Sequence, residues 1–141
     1  MPDLVEKNLE YERAEYGYKC IKDIIDNHEA IKKEYRSDLL QTPARIYNSG
    51  LLQTLTFYCS KMKMERGRKN HFIPLNLHIM KWILRGELGT AREMWNENPD
   101  AIWNMYRTRI LGQPENKMRY TERAMSVIVW MKRFAEGMIE K

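Results

Sequence analysis

The sequence of 141 residues predicts an all-α fold, a compact bundle of about six or seven helices in a single domain. Three observations predict it. Apolar residues recur at steps of three, four and seven along most of the chain, the spacing of one helix face. Breaks in that spacing coincide with Gly50, Gly67, Pro74, Gly86, Gly89, Pro99, Gly112 and Pro114, the residues that punctuate helices. No segment shows the apolar–polar alternation of a strand.

A first helix is predicted over roughly residues 3–27, with Asp3 as its cap and Asn27 as its stop. Leu4, Tyr11, Ala14, Tyr18, Ile21 and Ile25 mark its apolar face. A second covers roughly Ile31 to Asn48, with a kink or short break at Pro43, which removes a backbone donor and restricts Thr42. Gly50 relieves the turn into a third helix over roughly Leu51 to Lys63, whose inner face is Leu51, Leu52, Leu55, Tyr58, Cys59 and Met62. The polar stretch at about residues 64–73 reads as a loop. Pro74 opens a fourth helix to about Arg85 that buries Leu77, Met80, Ile83 and Leu84.

Thr90 and Glu93 have the spacing of a capping box for a short helix ending near Asn98. Asn98-Pro99-Asp100 then restarts the chain into a sixth helix through Ile102, Met105, Tyr106, Arg109 and Ile110. The last helix is predicted over roughly Tyr120 to Glu140. Its stretch AMSVIVWM is apolar nearly all round, so it is either central or covered by a partner.

Composition excludes several classes. No run of 18 apolar residues exists, which argues against a membrane span. The polar, acidic start MPDLVEKNLEYERAEY has no apolar core or cleavage site, so it does not read as a secretory signal. Cys20 and Cys59 lie far apart among apolar neighbours and read as buried, reduced thiols of a cytoplasmic protein.

The net charge of +5 is unevenly spread. Residues 1–60 hold 8 Lys/Arg against 10 Asp/Glu, and residues 101–141 hold 8 against 4. A basic balance suits a polyanion such as nucleic acid. The densest run is KMKMERGRK at residues 61–69, where Lys61, Lys63, Arg66, Arg68 and Lys69 face one Glu65. Such a segment can lie along a phosphate backbone without reading sequence. Lys117, Arg119 and Arg123 form a second basic set, and Arg107 and Arg109 a third.

Catalytic chemistry finds little support. His28, His71 and His78 form no metal-ligand spacing, so no metal or cofactor is expected. No nucleophile elbow or phosphate-cradling loop is present. One pattern has enzymatic meaning. Arg66 and His71 form an Arg-x4-His pair like that of the helical HEPN-type ribonucleases, with His as acid or base and Arg stabilising the phosphorane. The four tryptophans, Trp82, Trp95, Trp103 and Trp130, sit in helical patterns; three read as core and Trp130 as a candidate interface anchor.

The stretch from Tyr35 to Phe57, YRSDLLQTPARIYNSGLLQTLTF, carries more information than any other. Tyr35, Ser37, Pro43, Ile46, Gly50, Leu51, Gln53, Thr54, Leu55 and Phe57 stand in an order and spacing that resembles the small helical subunit of the Cmr complex, the type III-B CRISPR effector that silences RNA. Glu12-Arg13-Ala14 on the first helix fits the same family. The sequence departs from it at Thr42, where leucine is usual, and at Ser49, where asparagine is usual; neither alters the backbone logic.

The resemblance implies a non-catalytic subunit, and no enzyme activity of its own. Its partners would be other Cmr subunits, neighbouring copies of itself, guide RNA and target RNA, with no membrane involved. Base pairing would supply recognition while protein contacts hold the backbone. Most of the signature reads as fold-determining, with Leu51, Leu55 and Phe57 packed inward and Gln53 and Thr54 making local hydrogen bonds. The RNA contacts are therefore assigned to the basic side chains Lys19, Arg45, Lys61, Lys63, Arg66, Arg68, Lys69, Arg119 and Arg123. A ribonuclease using Arg66 and His71, or a pure protein-interaction scaffold, are the alternatives.

Overall fold

A computed structural model describes residues 4–86 and 97–141, with side chains from Asn8 onward. Among the described residues it is an all-α fold of six α-helices with one two-stranded hairpin. The helices are α1 (Leu4–Asn27), α2 (Lys32–Ser49), α3 (Leu51–Ser60), α4 (Phe72–Ile83), α5 (Pro99–Met105) and α6 (Lys117–Met138). A 3-10 turn at Glu29–Ile31 joins α1 to α2, and another at Pro114–Asn116 leads into α6. The expected Asp3 cap, the place of Leu4 on the apolar face, the helix capped by Thr90 and the setting of Trp95 lie outside the described residues.

The helix α6 is the central element and packs on α1, α2 and α4. It buries Tyr120, Ala124, Val127, Ile128, Met131 and Ala135. That accounts for most of its apolar circumference, leaving Val129 exposed and Trp130 half-buried. Gly17 sets its distance from α1: a Cβ there would stand 3.1 Å from Trp130 Cβ and 3.2 Å from Met131 N. The buried face of α1 is accordingly Gly17, Cys20, Ile21 and Ile24. Tyr11 and Tyr18, expected on that face, are exposed, at 78% and 43%. Tyrosine tolerates either setting, and the small Gly17 is needed where the helices touch.

Proline 43 does not break α2, which runs unbroken from Lys32 to Ser49. Proline withdraws the donor that would serve the carbonyl four residues back. Side chains brace the helix across that gap. Arg45 Nη1 donates to Asp38 Oδ1 at 2.8 Å, and Thr42 Oγ1 donates to the Asp38 carbonyl at 2.7 Å. Gly50 then turns the chain with φ of 88° and ψ of 161°, a conformation open to glycine alone, and its N–H caps Ile46 at 2.8 Å. Thr54 Oγ1 donates back to the Gly50 carbonyl at 2.9 Å.

The helix α3 presents Leu51, Thr54, Leu55, Tyr58 and Cys59 inward, and it ends at Ser60 rather than Lys63. The segment expected to be a loop instead holds the hairpin: β1 (Met64–Glu65) pairs antiparallel with β2 (Arg68–Lys69). Arg66 (φ 53°) and Gly67 (φ 78°) form its two-residue tip. Consecutive positive φ values suit the twist of a tight hairpin. Then α4 begins at Phe72, one half-turn before Pro74, and Pro74 lies within the first turn, where its missing N–H costs nothing. Leu77, Met80, Ile83 and Leu84 are buried as expected, together with Ile73, Leu75, Ile79 and Trp82. Full burial of each large aliphatic side chain contributes about 1.5–3 kcal/mol.

Beyond Asn98, whose side chain caps α5 by accepting from Asp100 N at 2.8 Å, the chain widens into a π-helical turn over Tyr106–Leu111. The wider turn lets Tyr106 reach α3, where its hydroxyl donates to the Leu52 carbonyl at 2.9 Å and meets Thr56 Oγ1 at 2.7 Å. Trp103, expected in the core, is 38% exposed. Both cysteines are free and buried, and burial pushes each thiol up to about 12.

Candidate nucleic-acid interface

The hairpin gathers the densest basic run into one projecting surface. Lys61, Lys63, Arg66 and Arg68 are exposed, and Lys69 is half-buried. Two acidic groups temper it. Lys63 Nζ pairs with Glu65 at 3.0 Å, and Lys69 pairs with Glu97, across 28 residues of sequence. An open groove beside the tip is lined by Ile31, Glu65, Arg66, Arg68, Lys69 and Asn70. Arg66 sits where asparagine or glycine would be the relaxed choice; a left-handed conformation costs an ordinary side chain roughly 1–2 kcal/mol.

The hairpin is anchored at its base. Asn70 Nδ2 donates to the Lys61 carbonyl at 2.6 Å, closing the loop between α3 and α4. His71 Nε2 meets Asp38 Oδ2 at 2.5 Å. Asp38 thus serves His71 and Arg45 together. Burial works to raise the Asp38 carboxyl, but the hydrogen bonds from His71 and Arg45 outweigh it and hold the group below its ordinary value. Arg45 is braced further by Gln41 at 2.9 Å and by the Tyr58 hydroxyl at 3.1 Å.

The remaining expected contact residues fall on other elements. Lys19 lies exposed on α1 and pairs with Glu15 at 3.5 Å. Arg119 is exposed on the first turn of α6, 5.5 Å from the Tyr120 ring centroid. Arg123 donates to the Ile83 carbonyl at 2.8 Å and so caps the end of α4. Arg45 and Lys61 do come together, both against the ring of Phe57, at 5.8 and 5.5 Å. Phe57 was expected to pack inward; it is 43% exposed, because Tyr58 and Phe72 already fill the space beneath it.

The Arg66–His71 pair does not converge. Arg66 occupies the hairpin tip, whereas His71 is at the base and bound to Asp38. Another histidine, His78, is internal. His78 is buried between the Tyr35 hydroxyl, 2.7 Å from Nδ1, and Asp23 Oδ2, 3.0 Å from Nε2. Tyr16 adds a hydrogen bond to the His78 carbonyl at 2.5 Å. These partners lie 43 to 62 residues away in sequence, so no local spacing announced them.

Taken together, the geometry defines a helical module that projects a cationic hairpin from a braced base. The family model of the CRISPR-associated protein Cas_Cmr5 matches residues 9–138, and the chain belongs to that family, the small-subunit family of the Cmr complex. Among the described residues no helix is long and apolar enough to cross a membrane.

Proposed function

We propose that the chain is the non-catalytic small subunit of a type III-B Cmr ribonucleoprotein and that it stacks beside the guide-RNA filament and holds the backbone of guide or target RNA. The observation that carries this reading is Arg66 in a left-handed conformation at an exposed basic tip. The conformation is unfavourable for arginine, and it sets an exposed arginine in the turn of the hairpin. Lys61, Lys63, Arg68 and Lys69 extend the same charge, while Lys19 and Arg119 offer cations on α1 and α6. Arg45 and Arg123 act chiefly by bracing α2 and α4. A phosphate track of this kind fixes register and leaves sequence to base pairing.

Stacking on neighbouring subunits would use the α1–α6 face. There Tyr11, Tyr18 and Val129 are exposed, and two shallow concavities flank Trp130. The test is to assemble the complex around a tagged chain carrying Lys63→Glu, Arg66→Glu and Arg68→Glu. The expected result is normal recovery of the other Cmr subunits and guide RNA with weakened target-RNA binding. Unchanged binding would overturn the backbone-contact reading. RNA cleavage by the purified wild-type chain, abolished by His71→Ala, would instead favour a ribonuclease.

A further inference from the structure

Phe57 is a large aromatic side chain left at the surface of a helix whose other aromatic, Tyr58, is core. Its ring meets Phe72 edge-on at 6.4 Å and 85°, and Tyr58 at 6.0 Å. Arg45 lies 5.8 Å from the ring centroid and is itself fixed by Asp38, Gln41 and Tyr58. The Lys61 ammonium reaches the same ring at 5.5 Å, on a flexible stem whose residue opens the basic hairpin. An exposed ring beside a cation track is the composition that binds single-stranded nucleic acid: bases stack on the ring while phosphates follow the charges.

We infer that Phe57 is a stacking platform for one unpaired base of an RNA strand, with Lys61 and Lys63 holding the flanking phosphates. This rests on the RNA-contact reading above and adds to it a ligand class: an unstacked base, which a continuous duplex does not offer. A stacked base is tolerated whatever its identity, because each has a π-face, so the site adds affinity without adding sequence preference.

The test uses the full chain with two probes, an oligouridine and an oligomer of the same length with ribose-phosphate but no bases. Phe57→Leu keeps apolar volume and removes the ring; Phe57→Tyr keeps the ring. The expected result is that Phe57→Leu weakens oligouridine binding by roughly 5- to 100-fold. Its salt slope should match wild type, since no phosphate contact is lost. Phe57→Tyr should bind like wild type, and all three should bind the base-free oligomer alike. Equal binding of oligouridine by wild type and Phe57→Leu, with the salt slope intact, refutes the stacking site and leaves the backbone contact standing. Equal weakening on both oligomers refutes it as well. Failure of wild type to bind either oligomer overturns the RNA-contact reading and this inference together.

Discussion

The Tyr35 hydroxyl lies 2.7 Å from His78 Nδ1, while the opposite ring nitrogen faces Asp23 at 3.0 Å. Burial disfavours the charged ring, and the neutral imidazole fits these partners by accepting from tyrosine and donating to the carboxylate. Burial lowers the proton affinity of His78, and Asp23 restores part of it; Lys81 and His28 add to the lowering. The hydrogen bond from His78 is the main reason that Asp23 is lowered to about 2.

Folding stability should fall with acid in two stages. A histidine whose affinity for protons is lower in the folded chain stabilises above its unfolded value of about 6.5, and that stability is lost as pH drops below it. Asp23 contributes above about 3.9 and loses its contribution as pH falls toward about 2. Urea midpoints measured from pH 7 to pH 3 should decline, and His78→Gln should flatten the first stage. Tyr35→Phe should cost about 1–3 kcal/mol at pH 7 by leaving His78 Nδ1 unpaired in the core.

Asp38 joins α2 to the hairpin base. Asp38→Ala removes the acceptor of both Arg45 and His71 and should destabilise by roughly 1.5–3 kcal/mol, with the side chain only 19% exposed. Amide exchange should rise in residues 61–71 more than in α6. Equal protection throughout would show that Asp38 does not anchor the hairpin.

Gly17→Val should destabilise by roughly 1–3 kcal/mol, because the new Cβ meets Trp130 and the backbone of Met131 inside the α1–α6 contact. Thermal melting reads this directly. A variant at least as stable as wild type would mean that the helices separate at no cost.

Much of the fold was legible because helix periodicity and punctuation agreed. Of the signature residues, Tyr35, Ile46, Leu51, Thr54 and Leu55 are buried and Gly50 holds the turn, whereas Gln53 and Phe57 are exposed. The misreadings arise where side-chain partners, near or distant in sequence, override the local pattern. Pro43 sits inside an unbroken helix because Asp38, Thr42 and Arg45 brace it, and an Asp–Arg pair spanning the proline at seven residues was the available signal. Tyr11 and Tyr18 fitted a helix face, yet Gly17 marks the real contact with α6. At the candidate site the basic run was plain in sequence. Its hairpin was hidden because its strands are two residues each, below any alternation that could reveal them. Neither Glu97 beside Lys69 nor His71 on Asp38 follows from spacing.

The central claim, that the hairpin cations hold an RNA backbone, is tested most directly by the salt dependence of RNA affinity for the wild-type chain and for the Lys63→Glu, Arg66→Glu, Arg68→Glu variant. Neutralisation of three to five phosphates on a single strand predicts a slope of log affinity against log salt of roughly −2 to −3.5 for wild type, shallower by about 2 in the variant. Affinity that is independent of salt, or a slope that the three reversals leave unchanged, would contradict it.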